Sequence, residues 1–153
     1  MPLLLLAALL GMTAGVGGYT FVYAKGASYL GNRPETCANC HVMREHLDAW
    51  TKSSHRSVAT CNDCHAPDDV LGKYATKGRN GLLHSIAFTS GNFPDPLHIK
   101  PGNLAIAEAN CRRCHAPLVD VIDRLDAAGP AADGHDGSGL SCTACHKHVG
   151  HPR

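Results

Sequence analysis

The chain has 153 residues, 44% of them hydrophobic but only 5% aromatic, and a formal charge of +1 with histidine neutral. That length suits one domain, and so few aromatics leave little from which to build a large side-chain core. The near-neutral balance argues against a nucleic-acid partner.

The first element is an uncharged run from Pro2 to Tyr23, "PLLLLAALLGMTAGVGGYTFVY". At about 1.5 Å per residue it makes a helix roughly 33 Å long, enough for a bilayer core of about 30 Å. Small residues at 24–26 ("AKG") would suit a signal peptidase. The apolar run is nevertheless much longer than the ~7 to 15 residues of a signal core. Residues 1–24 therefore read as an uncleaved single-pass anchor, with Tyr19, Tyr23 and Tyr29 flanking its exit as interfacial aromatics do. Lys25 and Arg33 follow the anchor and no basic residue precedes it, the reverse of the positive-inside pattern. The expectation is that a few basic residues are missing from this start.

Next come the cysteines, all eight in Cys-x-x-Cys-His units: Cys37/Cys40/His41, Cys61/Cys64/His65, Cys111/Cys114/His115 and Cys142/Cys145/His146. A disulfide framework, zinc ribbons and an iron-sulfur protein also use paired cysteines, and the 20 residues between Cys40 and Cys61 fall within ribbon spacing. None of them requires a histidine after every second cysteine. Four covalent c-type haems do, each held by two thioethers and an imidazole on iron. The porphyrins would supply the missing apolar surface, and their propionates would make the holoprotein more acidic. Because such attachment takes place outside the bacterial cytoplasmic membrane, the motif-bearing part is expected on the periplasmic face. The expected fold is mainly α with much irregular structure: a single transmembrane helix plus a small multihaem domain over residues 25–153.

After the first motif, "MREHLDAW" places Met43, Leu47 and Trp50 at i, i+4 and i+7 with His46 at i+3, one largely apolar helical stripe. His55 follows in a polar segment six residues before Cys61. Beyond the second motif, Asp68 or Asp69 can cap a helix over 70–88 in which Lys73, Lys77, Gly81 and His84 share one face. A basic face is commonly just solvated, but a glycine between a lysine and a histidine opens a flat space where a ring fits. Residues 91–104, rich in proline and glycine, read as a linker between a first dihaem half (25–90) and a second (105–153). "CHAP" recurs at 64–67 and 114–117, in keeping with an internal duplication. His98 and His135 lie in loops at 91–103 and 127–139, where solvation is the default. His41 and Met43 compete for the first iron: residues two apart in a helical turn point about 200° away from each other, so both cannot face it from one side.

The anchor, the four motifs, "CHVM", "SSHRSVATCNDCHAP" and "KYATKGRNGLLHSIAFTSGNF" together resemble the NapC/NirT/NrfH family of membrane-anchored tetrahaem quinol dehydrogenases. Within it the chain is most similar to the small subunits of cytochrome c nitrite reductases. The resemblance covers nearly the whole chain and implies oxidation of menaquinol and delivery of electrons to a catalytic multihaem reductase subunit, in a higher-order membrane complex. It implies Met43 as ligand of haem 1, a thioether that favours ferrous iron and raises the potential. His65, His115 and His146 take the proximal places of haems 2, 3 and 4. His55 and His151 match distal positions of the family and are assigned to haems 4 and 3, with His148 the rival to His151. Haem 2 is then left to a partner's side chain, a lysine as in related complexes, with His46, His98 and His135 the local alternatives. Lys77 and His84 match the family's quinol site, where either His or Asp can accept a hydroxyl proton. Two other readings stand beside this one, a passive tetrahaem carrier and a donor of the NapC/NirT type to a different periplasmic reductase. The catalytic reductase itself finds no support, because no cysteine remains for a fifth haem.

Overall fold

The computed structural model describes residues 1–128 and 141–151, and His135 with the loop around it lies outside them. Among the described residues all regular structure is helical. Helix α1 (Pro2–Tyr23) starts with proline at its first turn, where the missing N–H is no loss, and all its side chains are exposed. An apolar helix of 22 residues that buries none of its length against protein is what a lipid-facing anchor requires. It ends at Tyr23, whose ring stacks on Tyr19 at 5.9 Å. Lys25, at φ 53°, then turns the chain into a 3-10 turn over Gly26–Leu30. The Phe21 ring folds against Gly26, where any Cβ would collide with it.

The part beyond the anchor begins with α2 (Pro34–Cys37), a 3-10 turn over His41–Met43 and α3 (Arg44–Thr51). Met43, His46, Leu47 and Trp50 are all half-buried, as their spacing predicts, and the Trp50 indole donates to the Ala59 carbonyl at 3.1 Å. Helix α4 (Cys61–His65) is started by a capping box in which the Thr60 amide and hydroxyl both donate to Asp63. Helix α5 (Val70–Ser90) is capped by Asp69, which accepts from the Gly72 amide at 2.6 Å, and it stops at Gly91 with φ 71°. It thus runs two residues beyond the expected end.

The expected linker is shorter than the sequence implied. Pro101 opens α6 (Pro101–Cys114) inside it, and α7 (Ala116–Ala128) and α8 (Cys142–Cys145) follow. Asn80 and Asn103 pair reciprocally at 3.3 Å and fix α5 to α6. Helix α4 packs on α6 through Asn110, whose buried amide donates to the carbonyls of Cys64 and Ala66 at 3.1 and 2.9 Å. Asp68, the unused capping candidate, pairs instead with Arg113 at 3.3 Å. Glu108 of α6 takes hydrogen bonds from Ser141, Cys142 and Thr143 and so holds the start of α8. Among the described residues the buried apolar side chains are Ala66 and Ala107 alone.

Candidate functional site

The second and fourth attachment motifs are short helices, the third ends α6 and the first begins at the end of α2, yet all four present their cysteines alike: Cys37, Cys61, Cys111 and Cys142 are half-buried, while Cys40, Cys64, Cys114 and Cys145 are exposed. The motifs are gathered together. The Cys37 and Cys61 side chains interact, which lowers the first thiol and raises the second, so the first and second motifs lie side by side. Asn110 joins the second motif to the third, and Glu108 joins the third to the fourth.

Histidines complete the arrangement. Two imidazoles bound to one metal from opposite sides at about 2 Å put their ring centroids roughly 6 Å apart. His65 and His151 stand 5.9 Å apart with planes inclined by 15°, and His55 and His115 stand 6.1 Å apart at 67°. Both separations fit an iron between the rings. His46 lies only 4.7 Å from His151, too close for a metal, and packs edge-on against it. Desolvation, with His151 and His46 alongside, pushes His65 down to about 4, so its ring is neutral and its lone pair available. His46 is held below the usual imidazole range by desolvation and by His151.

The sequence expectation set His55 at haem 4 and His151 at haem 3; in the structure the His55 ring stands beside His115 and the His151 ring beside His65. His41 and His146 are the motif histidines for which no facing ring is found among the described residues, and His146 lines a cavity of about 520 Å³ with Ser54, Cys145, Lys147, His148 and Val149. His98 lies in the irregular segment before α6. At the first motif, the 3-10 turn leaves His41 exposed and Met43 half-buried against α3.

Lys77 and His84 share a face of α5 but do not meet. The Lys77 ammonium donates to the carbonyls of Tyr29 and Gly31 at 2.9 and 2.6 Å, just past the anchor. Tyr74, one turn earlier, donates to the Leu30 carbonyl at 3.0 Å. Desolvation and Lys73 lower the Lys77 pKa, with Cys37 opposing them, which places the lysine beside the first motif. Desolvation and Lys100 lower His84. Nothing lies within 4 Å of where a Cβ would stand on Gly81, so the space between the two residues is open. The carbonyl partners of Lys77 and the cap supplied by Glu108 were not foreseeable, since both join segments more than 30 residues apart.

The NapC/NirT cytochrome c family, N-terminal region, matches residues 2–153. Cytochrome c-type protein NrfH of Wolinella succinogenes is 36% identical over 137 residues, covering 86% of this chain and 77% of its own. Cytochrome c nitrite reductase subunit NrfH of Nitratidesulfovibrio vulgaris is 31% identical, covering 94% and 81%. Cytochrome c-type protein NapC of Escherichia coli is 28% identical, covering 78% and 68%. Among solved structures, the cytochrome c nitrite reductase NrfHA complex bound to the HQNO inhibitor holds a chain that matches with TM-score 0.63 and 28% identity, over 96% of this chain and 91% of that one.

Proposed function

The chain belongs to the NapC/NirT cytochrome c family, and from that premise we propose that it is the membrane-anchored tetrahaem subunit of a cytochrome c nitrite reductase, oxidising menaquinol and feeding a catalytic multihaem partner. The relatives named as nitrite reductase subunits support the assignment. The observation that carries it is the junction at residues 29–31, where the anchor's exit, the quinol-site candidate Lys77 and the first motif come together.

Four haems, when bound, supply one-electron acceptors along the chain of motifs. Met43 would hold the first, His65 with His151 the second and His115 with His55 the third. His146 would hold the fourth together with a side chain of the partner, where the sequence expectation had set the partner at haem 2. Lys77 binds one quinol oxygen after releasing the carbonyls of Tyr29 and Gly31, and its charge stabilises that oxygen. His84, kept neutral by desolvation and Lys100, takes the proton of the hydroxyl at the quinol's other end. The haem domain faces the periplasm, and menaquinol approaches from the bilayer.

Lys77→Leu and, separately, His84→Leu should each abolish reduction by menaquinol while all four haems stay attached and reducible by dithionite. Normal quinol-driven rates in both variants would remove these residues from the site. The similarity to NapC favours a second recipient of the electrons. Mixing the reduced protein with each candidate reductase and timing its reoxidation separates the two.

A further inference from the structure

Helix α5 has three sides, and two of them face the rest of the chain. Lys77 and Tyr74 look toward the anchor's exit, and Asn80 looks toward Asn103 of α6. At about 100° per residue, Leu71, Leu82 and Ile86 fall within roughly 60° of one another and some 120° to 180° away from Lys77 and Asn80. They are 84%, 63% and 55% exposed. Beside them Ser85, Ile86, Thr89 and Ser90 line a shallow hollow of about 370 Å³. The stripe is turned away from Lys77, whose ammonium reaches back to Tyr29 and Gly31 just past the anchor. The helix also carries Lys73, Lys77 and Arg79 and no acidic residue, in a chain whose net charge is only +1.

We propose that the Leu71, Leu82 and Ile86 face of α5 is an interfacial membrane surface, seated among the headgroups and upper acyl chains of the leaflet through which the anchor emerges. The inference rests on the anchor reading. Three observations carry it: an apolar stripe without a protein partner among the described residues, the exposed Arg79 on its border suited to anionic headgroups, and hydrogen bonds from Tyr74 and Lys77 that hold the helix to residues directly following the anchor. A second copy would also cover an apolar stripe, but it would not account for the charge or the tether.

The test uses the full-length tetrahaem protein in vesicles of phosphatidylethanolamine and phosphatidylglycerol. A photoreactive benzoylphenylalanine is carried at Leu82 or Ile86 and, as control, at Asp120 of α7. Irradiation and mass spectrometry should find lipid adducts at the two stripe positions several-fold above the control. Protein that stays in carbonate-washed membranes while its probe captures a second copy, or no lipid, overturns the stripe alone. Loss from washed membranes overturns the anchor and the stripe with it.

Discussion

At the first motif a thioether and an imidazole stand two residues apart, and their exposure distinguishes them: Met43 is half-buried on the α3 stripe and His41 is exposed. Met43→His should therefore lower the potential of that haem by on the order of 0.1 V, within the wide range that axial ligands command, and slow quinol-driven reduction. An unchanged potential in a redox titration would return the iron to His41. Asn110 works by a different means. Its amide supplies donors to two carbonyls of the neighbouring motif, and Asn110→Leu strands both, at a cost of about 1 to 3 kcal/mol. The melting temperature of the tetrahaem protein should fall by several degrees, and an unshifted melt would show that solvent reaches those carbonyls. The cysteines and motif histidines were legible because their chemistry fixes their spacing. The buried role of Asn110 was not, since an asparagine before a cysteine carries no local signal of a partner 46 residues away.

Elements were legible where the chain marks its own ends. The anchor showed itself by length and absence of charge, and α5 by Asp69 at its start, with Gly91 ending it slightly beyond the expected residue. The stretch 91–104 misled because Pro101 was read as a breaker when it occupies the first turn of α6, a position that suits proline. The ring neighbours His65/His151 and His55/His115 were illegible for a similar reason: nearness in sequence says little once α4 lies across α6. Glu108 illustrates what such crossings add. Desolvation works to raise its pKa, but hydrogen bonds from Thr143, Ser141 and the Cys142 amide prevail and hold it at about 2, against an ordinary 4.5. A carboxyl depressed by folding contributes stability that is full above about pH 4.5 and is lost as the pH falls through about 2. Glu108→Gln should accordingly be less stable than the parent near neutrality, with the gap closing toward pH 2. Parallel thermal melts across that range would disprove the role of Glu108 if the gap stayed constant.

For the molecule as a whole, the ligand pairs proposed above would make the fourth motif the place where another subunit completes a coordination sphere. The isolated protein should show one haem near His146 that changes spin or ligand state when the catalytic subunit binds, while the signals of the His65/His151 and His115/His55 sites persist. Absorption and electron paramagnetic resonance spectra before and after mixing check this, and an unaltered spectrum would place the contact elsewhere. A last consequence comes from the interior, where two alanines are the buried apolar side chains among the described residues. A polypeptide with so little to condense around has no folded form to reach before its prosthetic groups arrive. Maturation would then run in one order, ligation of porphyrin onto an open polymer and only then collapse. The chain is in its most protease-sensitive state while it waits. A shortfall of haem should consequently reduce the amount of protein found, leaving few partially loaded molecules.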